Sequence, residues 1–196
     1  AIVGIIFYFF HVILGRIYYT GYSALRQAVS DLTATNAPSR EIASSLSTVY
    51  AIFTCAACIA LCIFFQNREQ KTFRLGIYLF AIMQWLSAVG YTLFPLSDSG
   101  YMGRFQDVMH MVVTGFVVVL SIASMILIAI ACLKGKNHKC FGILTITVLA
   151  LMALGSIGTG IVPPQYFGIP ERISVYSVVI YTGLLSIFAF SQPLNS

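Results

Sequence analysis

Residues 108–133 read VMHMVVTGFVVVLSIASMILIAIACL and contain no Asp, Glu, Lys or Arg. A helix needs about 20 consecutive, mostly apolar residues to cross the hydrocarbon core of a bilayer. This run exceeds that length and therefore predicts a membrane-spanning helix. It decides the fold class, because the rest of the chain must then be compatible with a bilayer.

Five further segments of the chain meet the same criterion of length and apolarity. Because these spans account for most of the 196 residues, the sequence predicts one integral membrane domain over 1–196, an all-α polytopic transmembrane helix bundle. The six predicted spans are about 1–19, 42–65, 75–95, 108–133, 141–163 and 172–190.

The overall composition excludes the main classes of soluble protein. Hydrophobic residues make up 59% of the chain and charged residues 9%, whereas a soluble domain has about 25% charged residues. So few charges cannot cover a water-exposed surface. A soluble enzyme and a nucleic-acid-binding domain are therefore not expected, and membrane lipids are the expected surroundings.

The charged residues predict the orientation in the membrane. Two short connections, 66–74 and 134–140, are rich in Lys and Arg, and every acidic residue except Glu69 falls on the other side of the predicted spans. Basic loops stay in the cytoplasm, so we expect a cell-membrane protein with both termini cytoplasmic. The first span opens at Ala1 without a charged flank, and we interpret this as a sequence that starts inside or just before a helix.

The connection after the first span has a helical pattern of its own. Within 21–36 the apolar residues Tyr22, Leu25, Val29 and Leu32 recur at helical spacing. This predicts a short amphipathic outer helix between spans one and two, lying in the interface or folding back over the bundle. Both a solvated surface helix and a lid over a pocket fit the pattern.

Polar residues gather at the predicted outer end of the bundle. Asp107 and His110 are three residues apart and share a helix face, and they are the only candidates for metal ligands. A zinc enzyme normally needs three protein ligands, so neither a catalytic residue nor a cofactor can be assigned. The same groups could instead form salt bridges and helix caps that tie loops together. The candidate ligand-binding residues are Arg26, Asp31, Asp107, His110, Glu171 and Arg172.

Four short motifs occur in order along the chain. They are Ser30-Asp31-Leu32, Leu93-Phe94-Pro95, His110 at the start of span four, and Gly168-Ile169-Pro170-Glu171-Arg172. Together with the short spans, they resemble the prokaryotic membrane proteins grouped as domain of unknown function 998. The resemblance implies a polytopic membrane protein without an established activity. It adds weight to Asp31, His110, Glu171 and Arg172 as a set.

Three functions are compatible with this pattern. The protein could bind a lipid or other amphiphile between its helices, with the head group at the outer polar residues. It could be a membrane-embedded hydrolase or transferase that uses His110 and nearby carboxylates. It could also be a small accessory subunit of a larger membrane complex.

Overall fold

The computed structural model describes residues 1–135 and 138–193, and these residues form an all-helical bundle. No strand occurs within these ranges, which confirms the all-α prediction. Two short 3₁₀ helices lie in connections, at Ser30–Thr33 and Pro164–Tyr166. The six α-helices are α1 (Ile2–Tyr18), α2 (Arg40–Phe65), α3 (Lys71–Leu93), α4 (Phe105–Lys134), α5 (Lys139–Thr159) and α6 (Gly168–Phe190).

Five of these helices, α2 to α6, are long and apolar enough to cross a membrane. Helix α1 is apolar but has only 17 residues, a length of about 25 Å against a hydrocarbon core of about 30 Å. Helix α5 ends at Thr159, earlier than predicted. The amides of Gly160 and Val162 donate hydrogen bonds to the carbonyls of Ile157 and Gly158. Pro163 has no amide hydrogen with which to continue the helix.

Helix α6 is the most buried element of the bundle. Consecutive helices pack against each other along the chain, and α6 also contacts α1 and α2. Tyr181, Thr182 and Leu185 of α6 are fully buried, and the Phe188 ring stacks on Phe141 of α5 at 4.1 Å. The core is therefore built around α6, whose first turn carries Glu171 and Arg172.

The halves of α5 and α6 that lie next to the cap segment 20–39 approach very closely. A Cβ atom added to Gly155 would lie 2.4 Å from the Ser174 amide nitrogen and 2.6 Å from the Pro170 carbonyl oxygen. The hydroxyls of Ser156 and Ser174 are 2.8 Å apart. Small residues allow such close packing of membrane helices, and a hydrogen bond between the helices adds to it.

The two basic connections lie at the same end of the bundle. The side-chain amide of Gln70 donates to the Ala131 carbonyl at 2.7 Å, and Glu69 lies 3.2 Å from His138 Nε2. The structure therefore separates a basic end from the end that carries the other connections. Lys136, a further basic residue of the 134–140 connection, lies outside the described residues.

The segment predicted as an amphipathic helix has another conformation. Residues 20–39, here called the outer cap, consist of turns and the single 3₁₀ helix Ser30–Thr33. Their backbone groups bond to distant side chains instead of forming the regular bonds of an α-helix. The apolar spacing still identifies buried residues, since Tyr22, Val29 and Leu32 are buried while Leu25 is exposed.

Candidate functional site

Arg172 fastens the outer cap to the first turn of α6. Its Nη1 donates to the carbonyls of Ala24 at 2.7 Å, Gln27 at 2.8 Å and Gly168 at 2.8 Å. Its Nη2 donates to the Tyr22 hydroxyl, which in turn donates to the Ala28 carbonyl at 2.6 Å. One planar cation thus satisfies two carbonyls of the cap directly and orients Tyr22, which satisfies a third.

Glu171 holds the next part of the same cap. Its Oε1 accepts a hydrogen bond from the Val29 amide at 3.1 Å. Its Oε2 lies 3.8 Å from Arg172 Nη1 and has no hydrogen-bond partner among the described residues. The Gly168 amide also donates to the Leu25 carbonyl at 2.8 Å, so the first turn of α6 and the cap form a continuous network.

Asp31 joins the cap to the connection between α3 and α4. Its Oδ1 accepts from the Gly100 amide at 3.0 Å, and its Oδ2 accepts from the Ser99 hydroxyl at 3.2 Å and the Ala28 amide at 3.2 Å. The Gln27 side chain donates to the same Ser99 hydroxyl at 2.7 Å. Gly100 has a φ of +77°, a conformation that glycine adopts at no steric cost.

Burial shapes the electrostatics of these cap residues. Asp31 is 2% exposed, and its burial raises the pKa of the carboxyl, against the opposing effects of its hydrogen bonds to Gly100, Ser99 and Ala28. Burial likewise raises the pKa of the Tyr22 hydroxyl, although the Arg172 charge opposes the shift. The Tyr22 hydroxyl is therefore protonated at neutral pH and available as a donor.

Asp107 organises the connection between α3 and α4. Its Oδ1 accepts from the Ser97 amide at 2.8 Å, and its Oδ2 accepts from the Ser97 hydroxyl, the Met102 amide and the Arg104 amide. Asp107 is fully buried. Both of its oxygens are therefore occupied by the loop that it caps, as expected for a carboxylate at a helix N-terminus.

His110 lies one turn further along α4 and is bound differently. Its Nδ1 lies 2.8 Å from the Phe94 carbonyl, and its ring packs against Tyr91 with centroids 4.8 Å apart. No hydrogen bond joins His110 to Asp107 within the part of the chain that the structure describes. The two candidate metal ligands share a helix face but form hydrogen bonds with different partners.

The structure thus divides the six predicted site residues into three groups. Asp31, Glu171 and Arg172 meet in one hydrogen-bonded network around the cap. Asp107 and His110 bind the neighbouring connection, residues 94–104, which Ser99 and Gly100 link to that network. Arg26 is exposed and has no side-chain hydrogen bond or ion pair with the other described residues.

Sequence reasoning missed several members of this network. The sequence does not mark Tyr22, Gln27, Ser97 or Ser99 as site residues. The run Ser97-Asp98-Ser99-Gly100 has the composition of a turn, which could have drawn attention to this loop. Nothing in the sequence indicates that its partners lie in the cap and α6.

A groove on the surface of α5 and α6 begins at Arg172. It has a volume of about 350 Å³. Ile180, at its far end, lies eight residues along α6 from Arg172, or about 12 Å at 1.5 Å per residue. The groove has a charged end and otherwise mostly apolar walls. It is lined by Val148, Leu151, Arg172, Ile173, Tyr176, Ser177 and Ile180.

This arrangement can bind and orient, but it shows no assembled catalytic centre. No group of three His, Cys, Asp or Glu side chains is close enough to hold a metal ion among residues 1–135 and 138–193. The carboxylates Asp31 and Asp107 are already saturated by backbone and hydroxyl donors. The groove beside Arg172 is the part of the site that is open to another molecule.

Comparison with known proteins gives a family match. No curated protein and no solved structure matches the chain. A family model described as a protein of unknown function, DUF998, matches residues 1–187. That match covers nearly the whole bundle, including the outer cap and the first turn of α6. The chain therefore belongs to the DUF998 family, whose function is unknown.

Proposed function

We propose that this protein is a six-span cell-membrane protein that binds a lipid or other amphiphile at the outer end of its bundle. In this proposal α1 is the sixth span, the basic connections and both termini are cytoplasmic, and the outer cap faces the opposite side. The observation that carries the proposal is the groove along α5 and α6, which runs from the Arg172 guanidinium to Ile180.

The two ends of the groove suit the two parts of an amphiphile. Val148, Leu151 and Ile180 offer an apolar wall to a hydrocarbon chain. Arg172 and the Tyr176 hydroxyl beside it offer donors to a head group. The Glu171 carboxylate lies 3.8 Å from that arginine but is buried outside the groove. Because the neighbouring charges have opposite signs, a zwitterionic or polar head group fits better than a strongly anionic one.

The test is to identify what co-purifies with the full chain in a mild detergent, by native mass spectrometry. The variant Leu151→Trp adds bulk to the groove wall and should remove the bound amphiphile. Leu154→Trp is the matched control, because Leu154 is on the same helix, is 67% exposed and does not line the groove. Equal retention in both variants, or no bound amphiphile in the wild type, would contradict the proposal.

The alternative functions receive no specific support from the contacts described above. A hydrolase or transferase needs a reactive group that is free to act, whereas the Asp107 oxygens are engaged by the loop and His110 Nδ1 contacts Phe94. An accessory subunit would reveal itself in the same experiment by a co-purifying protein in place of a lipid. Amphiphile binding is therefore the function that the contacts favour.

A further inference from the structure

A second groove lies at the opposite, basic end of the bundle. It is formed by the end of α2 and the beginning of α3, with a volume of about 370 Å³. Lys71 is the first residue of α3, and Tyr78 lies about 10 Å further along the helix. The groove therefore extends from the end of the bundle toward the membrane interior. Its lining residues are Gln66, Asn67, Lys71, Arg74, Leu75 and Tyr78.

The part of this groove at the end of the bundle is positively charged and contains no acidic residue. Arg74 donates to the Gln66 carbonyl, which holds its guanidinium at the rim. Lys71 is exposed and forms no hydrogen bond or ion pair with the other described residues. The nearby Glu69 is paired with His138 at 3.2 Å and does not line the groove. Two cations therefore face this site without a neutralising carboxylate.

The part of the groove further along α3 is apolar and open to the surroundings. Leu75 is 50% exposed and Tyr78 is 38% exposed. A tyrosine at this depth is typical of the membrane–water interface, where its ring contacts hydrocarbon and its hydroxyl reaches water. Cationic residues above an apolar wall match a phosphate above an acyl chain, and basic pockets between membrane helices bind acidic lipid head groups in this way.

We infer that this groove binds an anionic phospholipid, with its phosphate between Lys71 and Arg74 and its acyl chain along Leu75 and Tyr78. The site is independent of the amphiphile groove at Arg172, because it uses other helices and lies at the other end of the bundle. Either site can be lost without the other.

General attraction between basic loops and acidic lipids is the main competing explanation, and matched charge variants distinguish it. Lys71→Gln/Arg74→Gln removes the two cations of the groove. Lys134→Gln/Lys139→Gln removes two cations at the same end of the bundle, both exposed and neither lining the groove. Both variants have the same net charge, so only the position of the lost charges differs.

The experiment titrates phosphatidylglycerol into the purified full chain in neutral detergent micelles and measures bound lipid by native mass spectrometry. Each cation near an acidic lipid surface contributes enough attraction that the groove variant should lose about tenfold to thirtyfold in affinity. The control variant should lose less than about threefold, and phosphatidylcholine should bind the wild type weakly. The single variant Lys71→Gln should show an intermediate loss.

Three results would overturn this inference. The first is an equal loss in the two double variants, which would indicate general charge attraction. The second is equal binding of phosphatidylcholine and phosphatidylglycerol to the wild type. The third is displacement of the lipid by inorganic phosphate at matching concentrations, which would assign the groove to free phosphate. Loss of Arg74 also removes its hydrogen bond to the Gln66 carbonyl and could loosen the fold. Lys71 forms no such bond with the other described residues, so the single variant Lys71→Gln tests the site without that effect.

Discussion

At the scale of single residues, Arg172 forms a set of hydrogen bonds to the cap that a lysine could not form. A guanidinium is a planar fork with several fixed donors, whereas an ammonium is a compact point charge. We expect Arg172→Lys to leave part-buried carbonyls of the cap without a donor, at a cost of about 1 kcal/mol for each unsatisfied group.

The Arg172→Lys prediction can be measured by thermal unfolding in detergent, together with limited proteolysis of the outer cap. Arg26→Lys makes the same chemical change at an exposed residue of the same segment and should leave both measurements unchanged. If the two variants behave alike, the role of Arg172 as the fastener of the cap is wrong.

Asp31 predicts how the stability of the cap depends on pH. Burial raises the pKa of the Asp31 carboxyl above its ordinary value of 3.8, so the folded chain holds this proton more tightly than the unfolded chain does. Its contribution to stability is therefore full below the ordinary pKa and is lost as the pH rises through the raised pKa.

The variant Asp31→Asn removes that titration and leaves the other ionisable groups in place. We expect the melting temperature of the wild type, minus that of Asp31→Asn, to be largest in acid and to shrink as the pH rises to neutrality. Melting curves of both proteins over this range measure the difference. A difference that grows with pH would contradict the assignment.

At the scale of elements, the helices were predictable and the cap was not. A span is a local property of about 20 residues, and the predicted starts and ends of α2, α4 and α6 fall within four residues of those observed. The cap takes its conformation from Arg172 and Glu171, more than 130 residues away along the chain. Local periodicity identifies its buried side chains but carries no information about those distant donors and acceptors.

The packing of α5 against α6 makes the clearest prediction for an element. Gly155→Ala would place a methyl group 2.4 Å from the Ser174 amide nitrogen, and a helix backbone cannot yield as a flexible side chain can. We expect the two helices to separate locally, with a loss of about 1–3 kcal/mol from overpacking.

Gly115→Ala is the matched control for this substitution. Gly115 lies inside α4, and a Cβ atom added there meets nothing within 4 Å. The alanine should stabilise the helix by about 0.5–1 kcal/mol. The two variants should thus shift the melting temperature in opposite directions, and a shift of the same sign would contradict the described contact between α5 and α6.

At the scale of the whole molecule, the chain has five spans or six depending on whether α1 crosses the membrane. A Cβ atom added to Gly15 of α1 would lie 3.4 Å from Ala43 near the start of α2, and one added to Gly4 would lie 3.2 Å from the Tyr50 carbonyl further along that helix. A Cβ atom added to Gly183 of α6 would lie 2.7 Å from Ile5, near the beginning of α1. Helix α1 therefore runs antiparallel to α2 into the bundle, as a crossing helix would.

The six-span topology predicts which parts of the molecule can be labelled from outside the cell. In a chain whose other cysteines are replaced, an impermeant maleimide should modify Met102→Cys in intact cells, because Met102 is 57% exposed in the connection between α3 and α4. It should modify Cys140, which is exposed at the basic end, only after permeabilisation. A tag fused before Ala1 should be protected together with Cys140. If α1 did not cross the membrane, the chain would have five spans and the tag would lie on the same side as Met102. Labelling of the tag in intact cells would therefore contradict the six-span topology and show that α1 packs against α2 without crossing.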